Sequence, residues 1–320
     1  MLKRALIAIL LSMLVVALAS CGPKKGAGTV TVAFVTNNVS DFWKIAQAGA
    51  EQGAKDFKCK CLVQMPVQGT AGEQKRILED LIVKGVSGVA ISPVNPEKVD
   101  MLDKAASQVN LICMDSDAPK SKRLCYVGTS NYDAGKVAGT QLMKALPNGG
   151  KVMVYVGTMD AQNAADRYKG IADALKEGKS KIQILSVMTD NADHGKARRN
   201  VEDTLVKYSD IAGLVGLWSY NGPAIYKAVE SAGKSGKVKV VCFDEDPATL
   251  EGVKKGTIFA TIVQQPYKFG YESVRILAAL ARGDKSVIPK NKVVDTGVRV
   301  IDNSNVDKFS ADLNKILGKK

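Results

Sequence analysis

From Thr29 onward the chain alternates between two kinds of segment. One kind is short, apolar and rich in β-branched residues. The other carries its apolar residues every three or four positions. The first period predicts buried strands and the second amphipathic helices. Strands are predicted at Thr29–Thr36, Cys61–Met65, Val86–Ile91 and Asn110–Met114, with helices at Asp41–Phe57, Gly72–Lys84 and Pro96–Gln108 between them. A second run follows, with helices at Tyr132–Leu146, Ala161–Glu177, His194–Tyr208 and Pro223–Ala232. Its strands are Lys151–Val156, Ile182–Val187, Ile211–Leu217 and Val238–Phe243. The chain ends with strand Phe259–Val263, helix Tyr267–Ala281, a late strand run Val293–Ile301 and helix Val306–Leu317. Alternation of this kind predicts an α/β fold with parallel sheets covered by helices on both faces. Two such runs, meeting near residue 130, predict two similar α/β lobes.

The first residues break the pattern. Met1-Leu2-Lys3-Arg4 is basic, Ala5–Ala17 is apolar apart from Ser12, and Leu18-Ala19-Ser20-Cys21 ends in small residues. A basic start, an apolar stretch too short to span a bilayer and a small-residue cleavage point define an export signal. Leu18-Ala19-Ser20-Cys21 resembles the bacterial lipobox. That resemblance implies cleavage before Cys21, a thioether lipid on Cys21, and localisation in the cell envelope on the periplasmic or extracellular face. Residues 1–20 are thus the expected lipoprotein signal and 21–28 a lipidated tether.

Composition adds exclusions. The formal net charge is +13 from 45 Lys+Arg and 32 Asp+Glu. The basic residues are scattered singly, so a solvated basic surface is expected and no nucleic-acid partner. A single histidine, His194, rules out any site with two histidine ligands. Five cysteines follow Cys21, and an odd number leaves at least one free thiol. Cys59 and Cys61 are too close along one strand to bridge well, Cys242 reads as core, and a bridge between Cys113 and Cys125 is left open. No Gly-x-Gly-x-x-Gly, phosphate loop, Gly-x-Ser-x-Gly or zinc spacing is present, so no cofactor, no metal and no enzyme is expected.

In open parallel sheets, ligands bind beyond the C-terminal strand ends. Those ends here carry Asn37-Asn38, Ser92, Asp115, Asn163 and Arg167, Asp190, Trp218–Asn221, Asp244-Glu245-Asp246 and Gln264-Gln265. Carboxylates, amides and a guanidinium share hydroxyls in planar forks, and aromatic rings pack on the C–H faces of sugars. The same residue types also cap helices and close turns. Their recurrence at nearly every strand end favours a sugar site.

Seven motifs, in order, carry a family resemblance. They are Val35-Thr36-Asn37-Asn38 through Phe42-Trp43, Ile91-Ser92-Pro93, Met114-Asp115, Ala165-Asp166-Arg167, Tyr220-Asn221-Gly222-Pro223, Cys242-Phe243-Asp244 and Ala260–Pro266. The chain from about Thr29 to the end is similar to the type I periplasmic sugar-binding proteins of the ribose- and galactose-binding group. The resemblance implies two Rossmann-like lobes joined by three hinge crossings, near Ser130, Gln264 and Asp295. Residues 29–130 plus 265–295 form one lobe and 131–264 plus 296–320 the other. It implies a ligand set of Ser40, Phe42, Trp43, Ser92, Asp115, Asn163, Arg167, Trp218, Asn221, Asp244 and Gln264. Trp43 is the expected stacking ring, with core filling as its alternative role. Ser116 replaces an arginine common in ribose binders. The implied function is capture of a monosaccharide, closure of the lobes, and delivery to the membrane subunits of an ABC permease by a monomer. A sensor feeding a membrane receptor is the alternative.

Overall fold

The computed structural model describes residues 29–318; the expected signal, Cys21 and its tether lie outside the described residues. Among the described residues, twelve strands form two six-stranded sheets. The first contains β1 (Thr31–Val35), β2 (Lys60–Gln64), β3 (Gly88–Ile91), β4 (Asn110–Met114), β5 (Tyr126–Gly128) and β11 (Val293–Asp295), in the order β11-β5-β4-β3-β1-β2. The second contains β6 (Gly150–Val156), β7 (Ile182–Thr189), β8 (Ile211–Gly216), β9 (Lys239–Phe243), β10 (Ala260–Val263) and β12 (Arg299–Ile301), in the order β12-β10-β9-β8-β6-β7. The two orders are the same once β1–β5 are matched to β6–β10. Every pairing is parallel except β10 with β12.

Helices cover both faces of each sheet, so residues of the inner strands are buried whichever way they point, while the edge strands β2, β7, β11 and β12 are only part-buried. In β1, Val32 and Phe34 join one core while Ala33 and Val35 join another. The first sheet is covered by α1 (Asp41–Asp56) and α9 (Pro266–Ala281) on one side. On the other are α2 (Ala71–Val83) and α3 (Val99–Ala106). The second sheet is covered by α4 (Asn131–Ala145) and α5 (Gln162–Glu177) on one side. On the other are α6 (His194–Lys207), α7 (Asn221–Ser231), α8 (Pro247–Lys254) and α10 (Val306–Ile316).

In each lobe one helix pair meets backbone to backbone through reciprocal glycines. A Cβ on Gly49 would lie 1.9 Å from the Tyr267 carbonyl oxygen, and one on Gly270 1.9 Å from that of Ala46. In the second lobe a Cβ on Gly135 would lie 2.2 Å from the Arg167 carbonyl, and one on Gly170 2.1 Å from that of Tyr132. This contact seats α5, which carries Arg167, on α4. Gly135→Ala is therefore expected to push α5 outward. It should cost about 1–3 kcal/mol by overpacking and weaken ligand binding about tenfold, read by thermal melting and calorimetric titration.

The chain passes between sheets three times: from β5 to α4, from β10 to α9, and from β11 to β12. These passages are laced together. The Ser130 amide donates to Asp295 at 3.0 Å, and Thr296 donates twice to the Gly128 carbonyl, at 2.9 Å from its amide and 3.1 Å from its hydroxyl. The late run 293–301 is accordingly not one strand. It breaks at Thr296-Gly297-Val298, where Gly297 has φ +69°, and its halves join different sheets. The turn chemistry of that glycine overrides the unbroken β-branched pattern.

Cys113 and Cys125 are both free, as are Cys59, Cys61 and Cys242. The amide of Cys113 bonds the carbonyl of Cys125 at 3.0 Å, so the two are neighbours. Their side chains nevertheless enter cores on opposite faces of the sheet, which prevents a bridge.

Candidate functional site

A cavity of about 950 Å³ lies at the C-terminal strand ends of both sheets. Asn37, Asn38, Ser40, Phe42, Trp43 and Asp115 line it from the first lobe. Asn163, Arg167, Trp218, Ser219, Asp244, Glu245 and Gln264 line it from the second. Nine of the eleven residues named from the sequence line this cavity. Ser92 and Asn221 do not. Both are fully buried behind it.

The carboxylates of the two lobes are built alike. Asp115 follows β4 and Asp244 follows the equivalent strand β9. Both have left-handed backbones, at φ +59° and +66°. Aspartate tolerates that region better than most residues, and such conformations persist only where the surroundings hold them. Here the adjacent strand does so in the same way twice. The Asp115 amide donates to the Val127 carbonyl, and the Tyr126 hydroxyl donates to the Asp115 carbonyl at 2.9 Å. The Asp244 amide donates to the Ile262 carbonyl, and the Thr261 hydroxyl donates to the Asp244 carbonyl at 2.7 Å.

Side-chain bonds then aim each group. Ser92 Oγ donates to Asp115 Oδ2 at 2.9 Å and accepts from Asn37 Nδ2 at 3.2 Å. Asn37 Oδ1 accepts from Trp43 Nε1 at 2.9 Å. Buried Gln74 pins the ends of β1 and β3 by donating to the carbonyls of Thr36 and Ser92. Trp43 is 2% exposed, with Phe34 and Phe42 edge-on to it, so most of its ring fills the core. Phe42 is the more open ring in the first lobe. Ser40 makes no side-chain cap to α1.

In the second lobe Arg167 is 2% exposed. Its Nε donates to Asn131 Oδ1 at 2.9 Å and its Nη1 to the Leu217 carbonyl at 2.6 Å. Nη1 also lies 3.9 Å from Asp244 Oδ2, and the guanidinium sits 4.4 Å above the Phe243 ring. Gln264 Nε2 donates to Asp244 Oδ1 at 2.9 Å. Trp218 Nε1 donates to Asn163 Oδ1 at 3.3 Å, and its ring lies where Gly157 has no Cβ; one there would come within 2.0 Å. Asn221 accepts from the Trp218 amide and donates to buried Asp190, which also accepts from the Tyr220 hydroxyl. His194 stacks on Tyr220 at 4.7 Å. Asn221 thus holds the loop that presents Trp218.

Burial pushes the Asp115 carboxyl up to about 6, against the pull of the Ser92 hydroxyl and Arg167. It also raises Asp244, opposed by Arg167 and Gln264, and lowers Arg167, opposed by Asp244 and Asp115. Among the described residues no cluster of His, Cys, Asp and Glu has the arrangement of a metal site.

Several contributors were not singled out from sequence. Gln74 had a readable signal: a polar side chain on the face of α2 that buries Leu78 and Leu81. Asn131 and Thr261 had none, since a helix-start amide and a strand threonine have ordinary local roles. The cavity also runs on between α8 and α10, along Leu250, Lys254, Val306 and Ser310.

This arrangement, two like-ordered α/β lobes closing polar strand ends on one cleft, defines a type I periplasmic binding protein. The periplasmic binding protein domain family matches residues 32–285, and the chain belongs to it. Similar proteins include the ribose import binding protein of Escherichia coli, 25% identical over 257 residues, covering 80% of this chain and 86% of that one. An ABC transporter solute-binding protein from Burkholderia graminis, solved with D-arabinose, is 31% identical. It superposes with a TM-score of 0.78 over 86% of this chain and 96% of its own. The arabinose-binding protein of Geobacillus stearothermophilus is 27% identical, with a TM-score of 0.80 over 88% and 99%. These relatives are sugar-binding transport proteins, not enzymes. The family implies an extracytoplasmic location. Among the described residues no helix is long and apolar enough to cross a membrane.

Proposed function

We propose that the protein is a lipid-anchored solute-binding protein that captures a monosaccharide between its lobes and delivers it to an ABC permease. The observation that carries this reading is the pair of matched carboxylates, Asp115 and Asp244, facing one cleft from different lobes with Arg167 beside them. A sugar hydroxyl donates to a carboxylate while accepting from the guanidinium, so one ring satisfies groups on both sides. Because contacts to both lobes exist only when the lobes approach, ligand favours the closed form by its preference for it. The ligand set is the eleven residues named from sequence, with Ser92 and Asn221 acting through Asp115 and Trp218. The three laced passages near Ser130, Gln264 and Asp295 are the proposed hinges, dividing lobes of 29–130 plus 265–295 and 131–264 plus 296–320. Closure then creates the surface that the permease reads.

The test is a thermal-shift screen against pentoses, hexoses and polyols, since a ligand that binds only the folded state raises its melting temperature. A shift with one or a few monosaccharides is expected, and a flat response to all of them rejects the sugar reading. The bound form needs Asp115 as an acceptor. Affinity is therefore expected to be level above about pH 6 and to fall roughly tenfold per unit below it, measured by calorimetry across pH 4.5–7.5. For the anchor, Cys21→Ala is expected to abolish metabolic labelling with a radioactive fatty acid and move the protein from the membrane fraction to the soluble one.

A further inference from the structure

One group in the cleft has no part in that scheme. Glu245, next to Asp244, lines the cavity and is only 8% exposed. Its Oε2 is fully enclosed and has no hydrogen-bond partner among the described residues. The nearby charges do not balance it. Arg167 is already committed to Asn131, the Leu217 carbonyl and Asp244. Lys254, further along the same wall, is paired with Asp307 at 2.7 Å. Asp246 on the adjoining wall adds negative charge, and Glu251 is paired with Lys255 at 3.2 Å. Asp115 and Asp244 thus share one guanidinium, and Glu245 stands outside its reach.

An enclosed carboxylate without a partner is strongly disfavoured. A residue kept for packing alone would meet a donor or be apolar. Burial, with Asp244 beside it, raises the Glu245 carboxyl well above its ordinary range. A carboxyl so placed is one whose counter-charge arrives from outside. A neutral hydroxyl brings one hydrogen and no charge. An ammonium group brings three donors and the missing positive charge.

We infer that the cleft selects an aminodeoxy monosaccharide, whose ammonium group docks on Glu245 while its ring hydroxyls engage Asp115, Arg167 and Asp244. This rests on the sugar-binding reading above and narrows its substrate class. The experiment is calorimetric titration of the protein at pH 7 with D-glucosamine, D-galactosamine and D-mannosamine, with their neutral parents D-glucose, D-galactose and D-mannose, and with the N-acetyl derivatives. At least one amine is expected to bind 30-fold or more tightly than its parent, and its N-acetyl form no better than the parent. In Glu245→Gln that ratio should fall to within threefold of unity, with the variant shown to be folded by its melting transition. A neutral parent binding as tightly as its amine, or a preference that survives Glu245→Gln, overturns the inference and leaves the sugar-binding reading standing. Binding of no sugar, charged or neutral, in this panel or in the wider screen, overturns both.

Discussion

Arg167→Ala is expected to abolish measurable sugar binding and to lower the melting temperature by roughly 10 °C. The guanidinium makes two charge-assisted bonds, to the half-buried Asn131 amide and the buried Leu217 carbonyl, stacks on Phe243 and lies 3.9 Å from Asp244. Its removal leaves the Asp244 carboxylate buried without a cation, and breaking one partner of a buried pair costs on the order of 3–5 kcal/mol. For a chain of this size each kcal/mol moves the midpoint about 2–4 °C. The double variant Arg167→Met with Asp244→Asn tests the cause. It removes both charges and keeps a side chain over the Phe243 ring, so it should recover most of the lost stability and none of the binding. If the double variant melts as low as Arg167→Ala, the loss comes from packing rather than from an unpaired charge.

Asp115→Asn is expected to do the opposite to stability. Burial raises the Asp115 carboxyl from 3.8 to about 6 in the folded state. A raised acid holds its proton more tightly when folded. Its stabilising contribution is therefore full below about pH 4 and lost as the pH rises through about 6. The carboxylate then burdens the empty protein at neutral pH by about 3 kcal/mol, from about 1.4 kcal/mol per unit. Asparagine keeps an oxygen for Ser92 and suits the left-handed backbone at φ +59°. The ligand-free variant should therefore melt roughly 6–12 °C higher than the wild type at pH 7.5, with the gap closing toward pH 4. Its sugar affinity should fall at least 30-fold, because an amide oxygen replaces a charged acceptor. A gap that does not change with pH would place the gain elsewhere than in the carboxyl's charge.

Much of this is legible in the sequence, and the reasons are specific. The inner strands of both sheets are buried on both faces, so Val32–Val35 or Val152–Val156 stand out as unbroken apolar runs. Strand ends then point to the site by topology alone. β5 has only three residues, too few for a period to show. Helix α8 has a local signal, Asp246 capping it and Pro247 in its first turn, but the apolar periodicity of its eight residues is too short to stand out from the strand-end loop before it. The break within 293–301 depends on which sheet each half joins, a long-range choice with a single glycine as its local trace. At the site, residue types were readable but rank was not. Ser92 and Asn221 stand one layer back because of partners far away in sequence, Asp115 and Asn37 for Ser92 and Asp190 for Asn221, and nothing local marks that Trp43 is mostly core.

The repeated construction of Asp115 and Asp244 has a further consequence. Two equal strand orders that present equivalent carboxylates across one gap give the cleft an approximate dyad. A sugar ring has its own approximate dyad, and turned end over end it would offer hydroxyls to the same two acids. Reading one orientation, and so one epimer or anomer, must fall to groups without a counterpart across the gap. Where α5 brings Arg167 to the cleft, the equivalent helix α1 brings Phe42, Trp43 and Ile45; the Trp218 ring overlies a glycine; and Ser116 is the residue that follows Asp115 where Glu245 follows Asp244. Stereochemical discrimination is thus carried by the asymmetric residues and general hold by the symmetric ones. Redesign for another sugar would start from the former and leave the matched aspartates alone.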